Sequence, residues 1–146
     1  MNENTHLYDI NGSFDYSLLK TDHPLVINQT TLSFLELGNI HQEIKNKLPT
    51  AILYDEICDA TLLRQRAIMK IGDDIDTIII VGSKRSSNTM KLYGIAQSMH
   101  PNKQTILVNS VEELKQYQLG KNIAIASGTS TSIETINTIK DYLASI

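Results

Sequence analysis

Five short aliphatic, largely β-branched runs, each parted from the next by a stretch of helical length, set what this chain can fold into. They are Leu25 to Ile27, Ala51 to Tyr54, Thr77 to Val81, Thr105 to Val108 and Ile123 to Ala126. Such residues suit a pleated strand. Between the runs, Leu37, Ile40, Ile44 and Leu48 fall on one helical stripe, and Leu92, Ile95, Ala96 and Met99 on another. A last stripe holds Ile136, Ile139, Leu143 and Ile146. Strands and helices alternating at this spacing predict parallel strands joined by right-handed crossovers. The expected fold is α/β, a single three-layer domain with a mostly parallel sheet flanked by helices. Ile78-Ile79-Ile80-Val81 is apolar without interruption, which predicts burial on both faces and hence the central strand.

The 146 residues have the length of one ordinary domain, and 41% hydrophobic with 20% charged residues is a balance that buries a core. We expect a lead-in over residues 1 to 22, mobile or partly ordered, and an α/β domain over 23 to 146. The lead-in lacks sustained periodicity and carries Asn11-Gly12. Its Tyr8, Ile10, Phe14, Tyr16, Leu18 and Leu19 are too apolar for a plain linker, so they either dock on another domain or cover this one. With 13 basic against 16 acidic residues the formal charge is −3, giving no reason to expect a nucleic acid or an acidic membrane as partner. The polar start, Met1 to His6, is not followed by an apolar segment of signal length, and no membrane-spanning run is present, so the expected compartment is the cytoplasm.

In an open parallel sheet, ligands sit beyond the carboxyl ends of the strands. Three strand-to-helix junctions there are rich in hydroxyls: Gln29-Thr30-Thr31-Leu32-Ser33, Gly82-Ser83-Lys84-Arg85-Ser86-Ser87-Asn88-Thr89 and Ser127-Gly128-Thr129-Ser130-Thr131-Ser132. A helix start offers free N–H groups and the positive end of the helix dipole, and hydroxyl and amide donors add to both, a set suited to phosphate oxygens. Simple capping explains part of this pattern, because Ser33 with Glu36, Ser110 with Glu113 and Thr131 with Glu134 have capping-box spacing. Yet Ser86-Ser87-Asn88 supplies more donors than one cap consumes, and the three junctions are expected on one sheet edge. Lys84 and Arg85 are assigned a minor role, as solvated loop cations.

Cys58, the only cysteine, follows the second strand and excludes any disulfide within the chain. A buried thiol, a nucleophile and a metal ligand all remain open for it. One thiolate does not hold a four-iron cluster. His6, His23, His41 and His100 are scattered without metal-ligand spacing, and we read them as surface or packing residues. No Gly-x-Ser-x-Gly, Walker or Gly-x-Gly-x-x-Gly pattern occurs, so hydrolase and nucleotide-cofactor readings find no support.

Taken in order, Gln29-Thr30-Thr31-Leu32-Ser33, then Ile57-Cys58-Asp59-Ala60-Thr61 with Arg64-Gln65, then Val81-Gly82-Ser83-Lys84 with Ser86-Ser87-Asn88, then Gly128 with Ser130, resemble the C-terminal part of 4-hydroxy-3-methylbut-2-enyl diphosphate reductases. The resemblance runs from about residue 25 to the end of the chain. It implies an iron-sulfur oxidoreductase of the non-mevalonate isoprenoid pathway, which reductively dehydroxylates hydroxymethylbutenyl diphosphate to isopentenyl and dimethylallyl diphosphate. Three α/β domains then surround a 4Fe-4S cluster, each giving one cysteine, and this chain corresponds to the third.

By that resemblance Cys58 is a cluster ligand, Ser86, Ser87, Asn88 and Ser130 hold the substrate diphosphate, and Thr30 sits near the substrate's hydroxyl end. No catalytic acid has a matching position here. The implied partners are the small diphosphate substrate, a companion chain carrying the first two domains, and a ferredoxin or flavodoxin as electron donor. The sequence departs from the pattern at Leu62-Leu63, Arg85 and Ser132. The alternative is a non-catalytic remnant domain that binds a small diphosphate or a protein partner.

Overall fold

The structure, a computed structural model, describes residues 4–28, 32–54 and 59–146. It divides into two compact units, one formed by Met1–Gln29 with Phe34–Glu56 and the other by Thr30–Ser33 with Ile57–Ile146. The class is α/β throughout, but the described strands lie in two parallel sheets rather than in one.

The first unit is a βαβ crossover. Strands β1 (Leu25–Ile27) and β2 (Ile52–Tyr54) pair in parallel, joined through helix α1 (Phe34–Lys47). On α1, Leu37 and Ile44 are buried, as the stripe predicts. The turn out of α1 is fixed by Lys45, whose Nζ donates to the carbonyls of Pro49 (3.1 Å) and Ala51 (2.7 Å). Such a cation also complements the carboxyl end of the helix. Within the described part of the lead-in the aromatics cluster: Phe14 lies 5.7 Å from Tyr8 and 5.2 Å, edge-on, from Tyr16 between ring centroids. Asp15 caps a 3-10 turn (Tyr16–Leu18) by accepting from the Ser17 amide at 3.0 Å. Burial and a hydrogen bond to Glu43 of α1 push the Tyr8 hydroxyl up to about 12.

The second unit runs α2 (Asp59–Met69), β3 (Thr77–Val81), α3 (Ser87–Met99), β4 (Gln104–Val108), α4 (Val111–Leu114), β5 (Ile123–Ser127) and α5 (Ile133–Ser145). Its strands form a parallel sheet in the order β4-β3-β5, with β3 central as its uninterrupted apolar run predicts. Alternate β3 residues feed two cores. Ile78 and Ile80 pack with Ile68 of α2, Leu92, Ile95 and Ala96 of α3, and Leu107. Ile79 and Val81 pack with Ile106, Val108, Leu114 of α4 and Ile139 of α5. Helices α2 and α3 therefore cover one face and α4 and α5 the other, giving three layers.

Helix α2 has no aliphatic stripe to announce it. Its buried positions are Thr61, Gln65 and Ile68, and Gln65 is fully enclosed with its Nε2 donating to the Leu32 carbonyl at 3.2 Å. At the opposite end of the sheet, Asp76 accepts from the amides of Lys121 (3.0 Å) and Asn122 (3.1 Å), and these bonds hold its carboxyl below the usual carboxylate range. Among the described residues no helix is long and apolar enough to cross a membrane.

Candidate functional site

The helix after β3 goes to one face of the sheet and the helix after β5 to the other. Loops leaving adjacent strands toward opposite faces open a crevice at the carboxyl edge, which is where α/β sheets bind ligands. Two of the three hydroxyl-rich junctions meet there. The third, at residues 29–31, includes Thr30 and lies outside the described residues, as does Cys58. Its preceding strand, β1, belongs to the other sheet, so the expectation of three junctions on one sheet edge does not hold.

The two loops are stitched to the end of β3 and to each other. The Val81 carbonyl accepts from the Gly128 amide (3.1 Å) and from the Thr131 hydroxyl (2.9 Å). Ser86 Oγ stands 3.4 Å from Ser130 Oγ, and Asn88 Nδ2 donates to Thr129 Oγ1 at 3.2 Å. Glycine is required at both strand ends. Gly82 has φ of +152°, and a Cβ there would stand 2.6 Å from Thr89 Oγ1 and 2.9 Å from Thr131 Oγ1. A Cβ on Gly128 would run into the same Thr89 hydroxyl. The absence of side chains at these positions lets the loops close over Thr89, which is wholly buried.

Ser86 is the N-cap of α3, its Oγ accepting from the Thr89 amide at 3.3 Å. That satisfies one of the four N–H groups a helix start leaves open. No acidic residue lies in the first turn of α3, so its positive end is not neutralised from within the helix. Asn88 is 5% exposed, and its Oδ1 is buried without a partner. The two ends of an amide are assigned from their surroundings. Turned over, the same side chain accepts the Thr129 hydroxyl proton on Oδ1 and leaves Nδ2 as a sheltered donor, an arrangement matched to an anion at the crevice.

The structure thus brings Ser86, Asn88 and Ser130 together, while Ser87 opens α3 as an exposed residue. Lys84 and Arg85 are exposed beside them. Of the capping pairs, Ser110 does accept from the Glu113 amide (3.2 Å). Thr131 does not cap α5. Ser132 does, accepting from the Thr135 amide at 3.1 Å, because the Thr131 hydroxyl is committed to Val81. Thr89 and Thr129, which set the floor and one tie of the crevice, were indistinguishable in sequence from the hydroxyls around them.

Among the described residues, no three His, Cys, Asp or Glu side chains come together in a way that would hold a metal ion. His100 is used in packing, its Nε2 2.7 Å from the Ile68 carbonyl, and His23 pairs with Asp22 at 2.5 Å. A single thiolate is too few ligands for a four-iron cluster. This chain's residues therefore do not by themselves fit such a group.

Comparison with known proteins identifies the family. The profile of a family described as LytB protein matches residues 2–144. The chain is 36% identical over 120 residues to the 4-hydroxy-3-methylbut-2-enyl diphosphate reductase of Symbiobacterium thermophilum, covering 81% of this chain and 40% of that protein. It is 31% identical over 139 residues to the protein of the same name in Listeria monocytogenes, covering 94% of this chain and 42% of that one. Among solved structures, the E-1-hydroxy-2-methyl-but-2-enyl-4-diphosphate reductase from Plasmodium falciparum superposes with a TM-score of 0.73 at 29% identity, covering 95% of this chain and 41% of that one. The chain spans less than half the length of these relatives. With a family profile matched over nearly all its residues, the chain belongs to the LytB protein family.

Proposed function

We propose that this chain is the diphosphate-holding part of a reductase of 4-hydroxy-3-methylbut-2-enyl diphosphate, completed by a companion chain. The observation that carries the reading is the pairing of two helix starts across one crevice, Ser86 with Ser130 and Asn88 with Thr129. These residues lie 44 and 41 positions apart in sequence and converge on hydroxyl and amide donors at the unneutralised end of α3. A diphosphate has acceptors to match them. Ser86, Ser87, Asn88 and Ser130 would bind it, and Thr30 would lie toward the substrate's hydroxyl end. Their contribution is positioning, which converts a loosely held reactant into an oriented one.

Cys58 is proposed as this chain's single ligand to a 4Fe-4S cluster whose other cysteines the companion supplies. The cluster would serve the reduction with electrons from a ferredoxin or flavodoxin. Family membership and the single cysteine support that reading.

Calorimetry with inorganic pyrophosphate tests the cradle. Ser86→Ala and Asn88→Ala should each weaken binding about tenfold or more, as expected when a hydrogen bond to a charged group, worth roughly 1.5–3 kcal/mol, is lost. Cys58→Ala should bind as the parent does. Pyrophosphate affinity unchanged across the serine and asparagine variants would refute the cradle. Anaerobic co-expression with a companion carrying the remaining cysteines tests the cluster; a pair without cluster absorbance or reductase activity would leave a binding module in its place.

A further inference from the structure

The pair Arg64-Gln65 takes no part in the ties that build the crevice. Arg64 is committed to its own helix, its Nη1 donating to the Ala60 carbonyl at 3.0 Å. Gln65 reaches much further. It is 0% exposed, and its Nε2 donates to the Leu32 carbonyl, 33 positions away in sequence. Gln65 shares the buried face of α2 with Thr61 and Ile68. Ile68 packs in the core with Ile78 and Ile80, and its carbonyl lies against His100 at the end of α3. Helix α2 leads into the amino end of β3, so its earlier turns, with Thr61 and Gln65, lie toward the carboxyl edge of that sheet, where the crevice is. Its inner face is therefore apolar against the sheet and polar where it meets Leu32. Leu32 and Ser33 are grouped with this unit, although the chain on either side of residues 30–33 belongs to the other, and Ser33 too is buried.

An enclosed amide is a costly way to fill a core position, because its net hydrogen-bond contribution is small beside the desolvation it suffers. An apolar side chain of the same volume would serve stability as well. What the amide adds is a single specified position for the group it holds. We infer that Gln65 is a positioning residue for the hydroxyl end of the substrate: by holding the Leu32 carbonyl on α2 it anchors the loop that leaves β1, in which Thr30 stands two positions before Leu32. This rests on the reading of the chain as the diphosphate-holding part of a reductase. Wholly enclosed, Gln65 acts through Leu32 and not on the substrate itself. It should govern which diphosphate is preferred, because a site reads a substrate hydroxyl well only when its own groups are fixed. How tightly the diphosphate group is held belongs to Ser86, Asn88 and Ser130.

The test is calorimetry on the full chain with two ligands, 4-hydroxy-3-methylbut-2-enyl diphosphate and dimethylallyl diphosphate, which differ only in the hydroxyl. The parent should prefer the first by about fivefold, the worth of one neutral hydrogen bond. Gln65→Met keeps the shape of the side chain without its donor. It should abolish that preference while leaving dimethylallyl diphosphate bound within about twofold of the parent. Gln65→Asn, an amide one methylene shorter, gives a second reading of the same loss. Thr30→Val should lose the preference too, and combining it with Gln65→Met should lose no more, as for two residues acting on one contact. Ile68→Val, on the same buried face of α2, is a control for general loosening of the helix and should keep the preference. A preference that survives both Gln65 variants overturns the inference, as does one lost equally in Ile68→Val, or losses that add in the double variant. A parent that binds both diphosphates alike overturns the positioning role and leaves the cradle standing, whereas a parent that binds neither overturns both.

Discussion

Alanine at Gly128 tests how closely the two loops of the crevice are fitted. The added Cβ would meet Thr89 Oγ1, which is buried and has no hydrogen-bond partner. Forcing one extra carbon into a packed interior costs about 1–3 kcal/mol. Alanine at Gly82 meets the same hydroxyl at 2.6 Å, and in addition Thr131 Oγ1 at 2.9 Å and a backbone held at φ of +152°. A residue held in such a region adds about 1–3 kcal/mol. Gly82→Ala should thus be the more damaging, by an amount that is a large share of the roughly 5–15 kcal/mol that keeps a domain folded. Urea unfolding of both variants, each alone and with Thr89→Ala, separates the two causes. Removing the hydroxyl forfeits no hydrogen bond, so Thr89→Ala should recover most of the Gly128→Ala loss, with a coupling energy of about 1 kcal/mol or more. It should recover only part of the Gly82→Ala loss, because the backbone conformation and Thr131 remain. Gly128→Ala within about 0.5 kcal/mol of the parent, the range of an ordinary surface change, would refute the steric reasoning. Equal rescue of both variants would refute the backbone term.

Other consequences are open to direct measurement. Asp76, held low by the Asn122 and Lys121 amides, contributes stability that is present above the ordinary carboxylate value and lost as pH falls through its own lower value; Asp76→Asn should therefore narrow its urea-midpoint deficit as the solution is acidified below about pH 4. Tyr8, pushed up to about 12, should stay protonated while ordinary tyrosines ionise near 10, and its stability contribution, complete below 10, should fade as pH rises toward 12; ultraviolet titration should show Glu43→Gln bringing it only part of the way down, since burial is the larger cause. Gln65→Leu keeps the volume but leaves the Leu32 carbonyl without this donor, and should cost about 1–3 kcal/mol in urea unfolding.

The second unit was legible in the sequence wherever burial and periodicity agree. Ile78-Ile79-Ile80-Val81 has apolar side chains on both faces, and only a central strand between two helical layers can accommodate that. Helices α3 and α5 showed their inward stripes, although Met99 and Ile146 at the stripe ends are exposed, at 41% and 74%. Helix α2 was not marked by a stripe because its buried face is partly polar, with Gln65 satisfied by a carbonyl distant in sequence. The split into two sheets was also hidden, since strand runs carry no record of which neighbour they pair with. For the site, the Ser86-Ser87-Asn88 run was readable as donors in excess of capping needs, while Ser130 was singled out by the family resemblance. The misplaced cap at Thr131 shows the limit of spacing rules: Glu134 gives Thr131 the capping-box spacing, but the Val81 carbonyl takes its hydroxyl and Ser132 caps the helix instead.

The ties between the two loops also make the crevice a reporter of completed folding. One half leaves β3 and the other leaves β5, which follows β3 and β4 in sequence and flanks β3. Neither half alone holds the set of donors, so the site arises only when β5 has closed onto β3. A ligand that binds there selects the closed state, and at a hundred times its dissociation constant it would add about 2.7 kcal/mol to the stability of the whole second unit. For an unpartnered chain, a diphosphate held there would be as much a guarantor of its own binding site as a molecule awaiting reaction.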